Sequence, residues 1–91
     1  MSVHLDKSVI NEITEKYRVS DKDTSSADVH AALLTEKIRI VEDQLRRYPR
    51  DSNIRLVLLR LVGDRRKYLD YLNSTNTARY KTLIKRLNII Q

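Results

Sequence analysis

A continuous apolar stripe at helical spacing in the middle of the chain restricts its possible folds more than any other feature. The stripe, at steps of four, three, four, three and four, is formed by Ala27, Ala31, Leu34, Ile38, Val41 and Leu45. These steps keep side chains on one face of an α-helix, so the pattern predicts a helix that packs along its whole length to about Arg47. Such a face has to be buried against another element.

The stretch after this helix supplies a packing partner. Pro49 cannot continue a helix and displaces Tyr48 from helical geometry, so "YPRDSN" predicts a turn. Asp51 or Ser52 is expected to cap the next helix, which runs to about Leu72 and is roughly 30 Å long. Its apolar stripe consists of Ile54, Leu58, Leu61, Val62, Leu69 and Leu72. The two stripes together predict a long antiparallel hairpin.

Two shorter helices are predicted to flank the hairpin. The first runs from about Asp6 to Tyr17 and, because it is short, is expected to be loosely attached and mobile. A polar break follows, in which Ser25 and Asp28 stand three residues apart as a capping box. After a second break at "NSTNT", the sequence "TARYKTLIKRLNII" predicts a last helix, which closes onto the hairpin through Tyr80, Leu83, Ile84 and Leu87.

Composition favours the same all-α fold of four helices. The 91 residues include one Gly, one Pro and 33% charged residues, whereas β-hairpins usually need Gly-rich turns and more β-branched and aromatic residues. Without a repeat or linker, residues 1–91 are expected to form a single domain. No apolar stretch approaches the roughly 20 residues that span a bilayer, so we expect a soluble, cytoplasmic protein with no membrane partner.

The positive charge is concentrated in the second half of the chain. Residues 1–45 hold six Lys and Arg against nine Asp and Glu, a balance of −3, whereas residues 46–91 hold twelve against three, a balance of +9. An excess this one-sided indicates a polyanionic partner, of which nucleic acid is the commonest. The alternative is that the basic residues only keep a small domain soluble.

Enzymatic and metal-binding functions lack the residues that they need. The chain has no cysteine, and its two histidines, His4 and His30, are twenty-six positions apart. We therefore expect no metal and no cofactor. The sequence also has no Gly-rich phosphate loop and no nucleophile placed near a His and an acid. A non-enzymatic protein is predicted, in which His30 has a contact role only.

One face of the hairpin's second helix suggests binding. This face is turned away from the apolar stripe. Its residues, at steps of four, three and four, are Arg60, Asp64, Lys67 and Tyr71. Arginine matches phosphate oxygens, and a tyrosine can stack on a base or reach a 2′-hydroxyl. The alternative is a solvent face in which Asp64 pairs with Arg60 or Lys67 and Tyr71 is half in the core. We also predict that three successive side chains point in three directions around the helix: Arg65, Arg66 and Lys67.

Three segments, "DTSSADVHAALLTEKI", "RLVGDRRKYLDYL" and "ARYKTLIKRLNI", closely resemble the small-subunit ribosomal protein fifteen family of bacterial or organellar type. The family patterns are Asp-Thr-Gly-Ser-x-(Glu/Asp)-x-Gln, then Leu-(Val/Met)-x-x-Arg-Arg-x-Leu-Leu-x-Tyr-Leu, then Arg-Tyr-x-x-Leu-Ile-x-x-Leu-x-(Ile/Leu). The resemblance covers nearly the whole chain. It implies a four-helix fold and a structural, non-enzymatic role in the small ribosomal subunit, in a cytoplasmic or an organellar ribosome.

The resemblance also implies which residues bind RNA. Family members bind the central domain of small-subunit rRNA at a three-way junction and help to organise the platform of the subunit. The positions that match the family's junction contacts are Asp23, Thr24, Ser25, His30, Lys37, Arg66, Lys67 and Tyr71. Among them, Ser25 replaces the family's Gly and His30 its Gln, so the geometry of this contact is expected to differ in detail.

A second family contact, in the minor groove of a nearby duplex, uses a His–Asp–Ser trio around the turn of the hairpin. Only the aspartate is retained, as Asp51, while Gln44 stands at the His position and Ile54 at the Ser position. Because Ile54 has no polar atom, we expect two contacts here, from Gln44 and Asp51, where the family makes three.

The implied partners are small-subunit rRNA, neighbouring small-subunit ribosomal proteins and, at an intersubunit bridge, large-subunit rRNA, with the free protein a monomer. The residues alone leave another class open, a helical module that packs its hairpin against partner helices, which the long apolar stripe would support. A helix-turn-helix DNA-binding protein is disfavoured, because no short helix pair with a tight turn precedes the basic face.

Overall fold

Two long helices joined by a short turn form the centre of the fold. The computed structural model describes residues 3–18 and 26–89, which contain four α-helices and no strand. The helices are α1 (Lys7–Tyr17), α2 (Ala27–Arg47), α3 (Ser52–Thr75) and α4 (Thr77–Leu87). α2 and α3 pack on each other as the predicted hairpin, α1 packs on α2, and α4 packs mainly on α3. The all-α prediction is confirmed.

The turn between α2 and α3 forms as its residue types require. Tyr48 leaves helical geometry, with φ −129° and ψ 66°, directly before Pro49. The Asp51 carboxylate caps α3 by accepting hydrogen bonds from the backbone N–H groups of Asn53, at 2.9 Å, and Ile54, at 3.1 Å. The predicted turn is therefore confirmed, and of the two candidate caps, Asp51 and Ser52, it is Asp51 that caps α3.

The predicted capping box of α2 is wrong. The helix begins one residue later than the box requires, with the Ser26 hydroxyl accepting from the Val29 N–H at 3.3 Å, while Ser25 lies outside the described residues. Asp28 is buried and forms an ion pair with Arg79 of α4, fifty-one positions away. A rule on local spacing carries no information about a partner so distant in sequence.

The predicted break at "NSTNT" is reduced to one residue, Asn76, because α3 continues to Thr75. The hydroxyls of Ser74 and Thr75 donate to the carbonyl of Tyr71 at 2.8 and 3.0 Å. The Asn76 side chain accepts from the Arg79 N–H at 3.2 Å and so caps α4. The polar residues of this segment thus terminate one helix and start the next without forming a loop.

A core lies where the helices meet near the α4 end of the hairpin, and its buried members are Tyr17, Val29, Ala31, Ala32, Leu69, Leu72, Leu83 and Leu87. Val62, which we placed on the apolar stripe of α3, is 39% exposed, so that assignment is wrong. The stripe that faces α2 covers only part of the helix circumference, and Val62 lies one residue, about 100°, beyond Leu61. Within residues 3–18 and 26–89, no helix has an apolar stretch that could span a membrane.

α1 is attached to α4 through its last turn. The buried Tyr17 ring lies under the Arg86 guanidinium, whose Cζ is 4.3 Å from the ring centroid. Arg86 Nη2 also donates to the backbone carbonyl of Lys16 at 3.0 Å. A cation over an aromatic face and a hydrogen bond therefore hold the two helices together.

Candidate nucleic-acid interface

A cavity of about 750 Å³ opens between α2 and α3, towards the end of the hairpin that is opposite the turn. We call it the hairpin cavity. Its lining residues from α2 are Ala27, His30, Leu33, Leu34 and Lys37, and those from α3 are Asp64, Lys67, Tyr68 and Tyr71. On each helix these positions follow one another at steps of one or three, so each helix presents one face to the same space.

The rim of the cavity is polar and accessible. Tyr71 is 62% exposed and Lys67 is exposed. No ion pair joins Asp64 to Arg60 or Lys67 in the part of the chain that the structure describes. The alternative of a salt-bridged face with Tyr71 half in the core is therefore wrong, and these side chains remain available to a ligand.

An aromatic pair joins the two walls of the cavity. The rings of His30, on α2, and Tyr68, on α3, are parallel to within 10°, with centroids 4.6 Å apart. Sequence reasoning missed Tyr68, because it lies seven residues after Leu61 and four before Leu72, a spacing typical of the core. The signal that could have identified it is its place one helical turn after Asp64 and three residues before Tyr71.

The hairpin cavity brings together four of the residues predicted to contact the junction: His30, Lys37, Lys67 and Tyr71. It does not include Arg66, whose side chain is 76% exposed and whose Nε lies 3.8 Å from Asp70 Oδ2 on the same helix. The three remaining predicted residues lie outside the described residues: Asp23, Thr24 and Ser25.

The three successive cations of α3 do point in three directions, as predicted. Arg65 turns into the hairpin, where Nη1 donates to Thr35 Oγ1 at 3.3 Å. Desolvation by burial lowers the pKa of Arg65, although Glu42 acts to raise it. Arg66 faces Asp70, and Lys67 lines the cavity. Only one of the three cations therefore faces the cavity, and Arg65 holds α3 to α2.

The other predicted contact residues, Gln44 and Asp51, lie near the turn, and we call them the turn surface. Gln44 Oε1 is buried and has no hydrogen-bond partner in the described part of the protein. The exposed Asp51 already accepts two backbone hydrogen bonds as the cap of α3. Ile54 is buried and has no polar atom, so its side chain cannot make the third contact of the family.

These features define a small all-helical protein with an open, aromatic and lysine-bearing cavity between its two long helices. The sequence model of the family described as ribosomal protein S15 matches residues 10–90. The chain is 58% identical over 85 residues to the small ribosomal subunit protein uS15 of Chlamydia abortus and to that of Chlamydia trachomatis, with 93% of this chain and 96% of each relative covered.

The chain belongs to the ribosomal protein S15 family, which confirms the resemblance seen in the sequence. It is accordingly a structural, non-enzymatic component of the small ribosomal subunit.

Proposed function

We propose that the protein binds a three-way junction in the central domain of small-subunit rRNA and helps to organise the platform of the subunit. The observation that carries the proposal is the convergence of four side chains from two helices on the hairpin cavity: His30, Lys37, Lys67 and Tyr71. Lysines bind phosphates as point charges, and aromatic rings stack on bases that a junction leaves unpaired. The segment before α2 contributes Asp23, Thr24 and Ser25 to the same contact.

The turn surface binds the minor groove of an adjacent duplex in this proposal. The groove of A-form RNA is wide and shallow, so short polar side chains can reach its 2′-hydroxyls. Because Gln44 Oε1 is buried, the amide nitrogen is the end of the side chain that meets the RNA. Asp51 is exposed and has acceptor capacity beyond its two capping bonds.

The remaining parts of the proposal rest on family membership. The free protein is a monomer that acts in a cytoplasmic ribosome, where it contacts neighbouring small-subunit proteins and large-subunit rRNA at an intersubunit bridge. The competing function, a module that packs its hairpin against partner helices, loses its support because the stripe of α2 is used within the hairpin. Ala31, Ile38 and Val41 are all buried there.

Binding of the isolated protein to two RNA fragments tests the proposal. One fragment folds into the three-way junction, and the other joins the same arms into an uninterrupted duplex. We expect tighter binding to the junction. Lys37→Ala with Lys67→Ala should reduce this affinity roughly tenfold, because two phosphate contacts are lost.

The matched control is Lys81→Ala with Lys85→Ala, which removes two exposed lysines of α4. This double variant changes the net charge by the same amount but away from the cavity, so its loss of affinity should be several-fold smaller. Equal affinity for the two fragments, or equal losses for the two double variants, would overturn the proposal.

A further inference from the structure

We propose that the hairpin cavity holds a single unpaired RNA nucleotide, whose base stacks on the His30–Tyr68 pair. This inference rests on the proposed function and adds two elements to it, a single nucleotide as the group that enters the cavity and a stacking platform for its base, the His30 ring supported by Tyr68. Neither follows from the family resemblance, because the family patterns have Gln at the position of His30 and Leu at that of Tyr68.

The aromatic pair provides a fixed platform. One ring comes from each long helix, the two lie parallel at 4.6 Å, and both side chains are half-buried. The packing of Tyr68 against the core restrains its ring before any ligand arrives. A restrained platform loses little conformational freedom on binding, so stacking on it yields more affinity than stacking on a mobile ring.

The rest of the cavity matches the parts of a nucleotide. Ala27, Leu33 and Leu34 give an apolar wall for a base, and Lys37 and Lys67 give cations for a phosphate. Asp64 lines the same space and, in the absence of an ion pair with Arg60 or Lys67, can accept a hydrogen bond from a base amino group or a 2′-hydroxyl. The volume of about 750 Å³ falls within the range of small-ligand sites.

An unpaired base is favoured over a base pair for a physical reason. Both faces of a paired base within a duplex are covered by its neighbours, whereas an unpaired base in a junction exposes a π-face that an aromatic side chain can cover. The exposed Lys67 at the rim and the half-buried His30–Tyr68 pair favour a ligand with its phosphate outside and its base inside.

A scan of abasic positions tests the inference. A set of junction fragments is made, each with one unpaired nucleotide replaced by an abasic residue, and affinities are measured for the wild type and for Tyr68→Leu. With intact RNA, Tyr68→Leu should bind about tenfold more weakly, and Tyr68→Phe should bind like the wild type because it keeps the ring. At one position the abasic change should weaken the wild type about tenfold and leave Tyr68→Leu unaffected.

Tyr80→Leu is the matched control, because Tyr80 is also half-buried against the core but lies on α4, away from the cavity. It should bind intact RNA like the wild type. Thermal unfolding of each variant checks the fold, and His30→Gln, which removes the other ring, provides the same test if Tyr68→Leu unfolds early. The inference is overturned if every abasic penalty is the same in both proteins, or if Tyr68→Phe loses as much affinity as Tyr68→Leu.

The two proposals fail in distinguishable ways. A wild type that does not prefer the junction to the duplex contradicts the proposed function, and with it this inference. A wild type that prefers the junction but shows no coupling between the aromatic pair and any unpaired nucleotide contradicts this inference alone.

Discussion

The positively charged residues of α3 have different roles, which the net charge of the helix does not distinguish. Arg55 Nη2 donates to the carbonyl of Pro49 at 2.6 Å and so closes the turn. Arg65 bonds to Thr35 of α2, and Arg66 faces Asp70. Lys67 is the one of these four that lines the hairpin cavity. Part of the positive charge of this helix therefore stabilises the hairpin, and part of it is available for RNA.

Tyr71 is expected to contribute strongly to RNA binding. Tyr71→Ala should weaken binding to the junction by about 1–3 kcal/mol, because the exposed ring at the rim of the cavity can stack on a base or bond to a hydroxyl. Lys85→Ala on α4 should cost less, since this exposed lysine makes at most a mobile point-charge contact. Equilibrium binding measures both, and small, equal losses would remove Tyr71 from the contact.

Asp51 has two roles in this account, as the cap of α3 and as a contact to RNA, and substitutions can separate them. Asp51→Ala should lower the free energy of unfolding by about 1 kcal/mol, because it removes the cap of α3. It should also remove protection of the adjacent duplex in chemical probing and leave the junction protected. Asp51→Asn, which keeps a capping oxygen, should restore most of the stability. Unchanged duplex protection in Asp51→Ala would exclude Asp51 from the minor groove.

At the scale of helices, contacts between distant elements fix the positions of α1 and α4. Asp28 of α2 pairs with Arg79 of α4, and Arg86 of α4 covers the Tyr17 ring of α1. Both contacts use arginine, which combines a charge with a flat surface and several donors. The Asp28–Arg79 pair lies at the end of the hairpin that carries the cavity, so it supports the start of α2, which also carries His30.

The Asp28–Arg79 pair is expected to stabilise the packing of α4. Arg79→Ala should reduce the free energy of unfolding by about 2 kcal/mol, because it leaves a buried carboxylate without its partner. Lys81→Ala, an exposed change on the same helix, should stay within about 0.5 kcal/mol. Urea unfolding compares the two variants. If both behave like the wild type, the pair does not fix α4.

Periodicity was sufficient to predict the helices of the hairpin, because a long apolar stripe can be buried in few ways. Pro49 and Asp51 have strong local preferences, so the turn was predictable too. The position of the α2 cap was not, since Asp28 is engaged by Arg79 from the far end of the chain. The role of Asn76 was not predictable either, because this single residue both ends α3 and caps α4.

The candidate site was predictable only in part. His30, Lys37, Lys67 and Tyr71 were assigned through the family resemblance, and their convergence on one cavity needed the packing of α2 against α3. Tyr68 was missed because a tyrosine on the margin of an apolar stripe has the spacing of a core residue. The stacking of its ring on His30 depends on the register between the helices, which neither helix determines alone.

For the whole molecule, the hairpin separates two surfaces along one axis. The hairpin cavity lies towards one end and the turn surface at the other, and α3, with 24 residues, is about 36 Å long. One small protein can therefore contact a junction and an adjoining duplex of the same RNA at once. In the proposed function, two contacts on one rigid body would restrict the angle between the two RNA elements and so help to organise the RNA.

The affinity of the protein for RNA is expected to depend steeply on salt concentration. With about five phosphates neutralised by the lysines and arginines of the protein, the logarithm of affinity should fall with the logarithm of salt concentration at a slope of roughly −4, because binding releases condensed counterions. Titrations at several salt concentrations measure the slope. A slope near zero would indicate apolar association and would favour the helical interaction module.

We expect this chain to recognise the junction by itself. A chemical footprint of the purified protein on naked small-subunit rRNA tests it most directly. We predict protection of the three-way junction in the central domain, together with the adjacent duplex, with no other ribosomal protein present. Protection that is absent from the junction, or that develops only after another ribosomal protein is added, would contradict the claim.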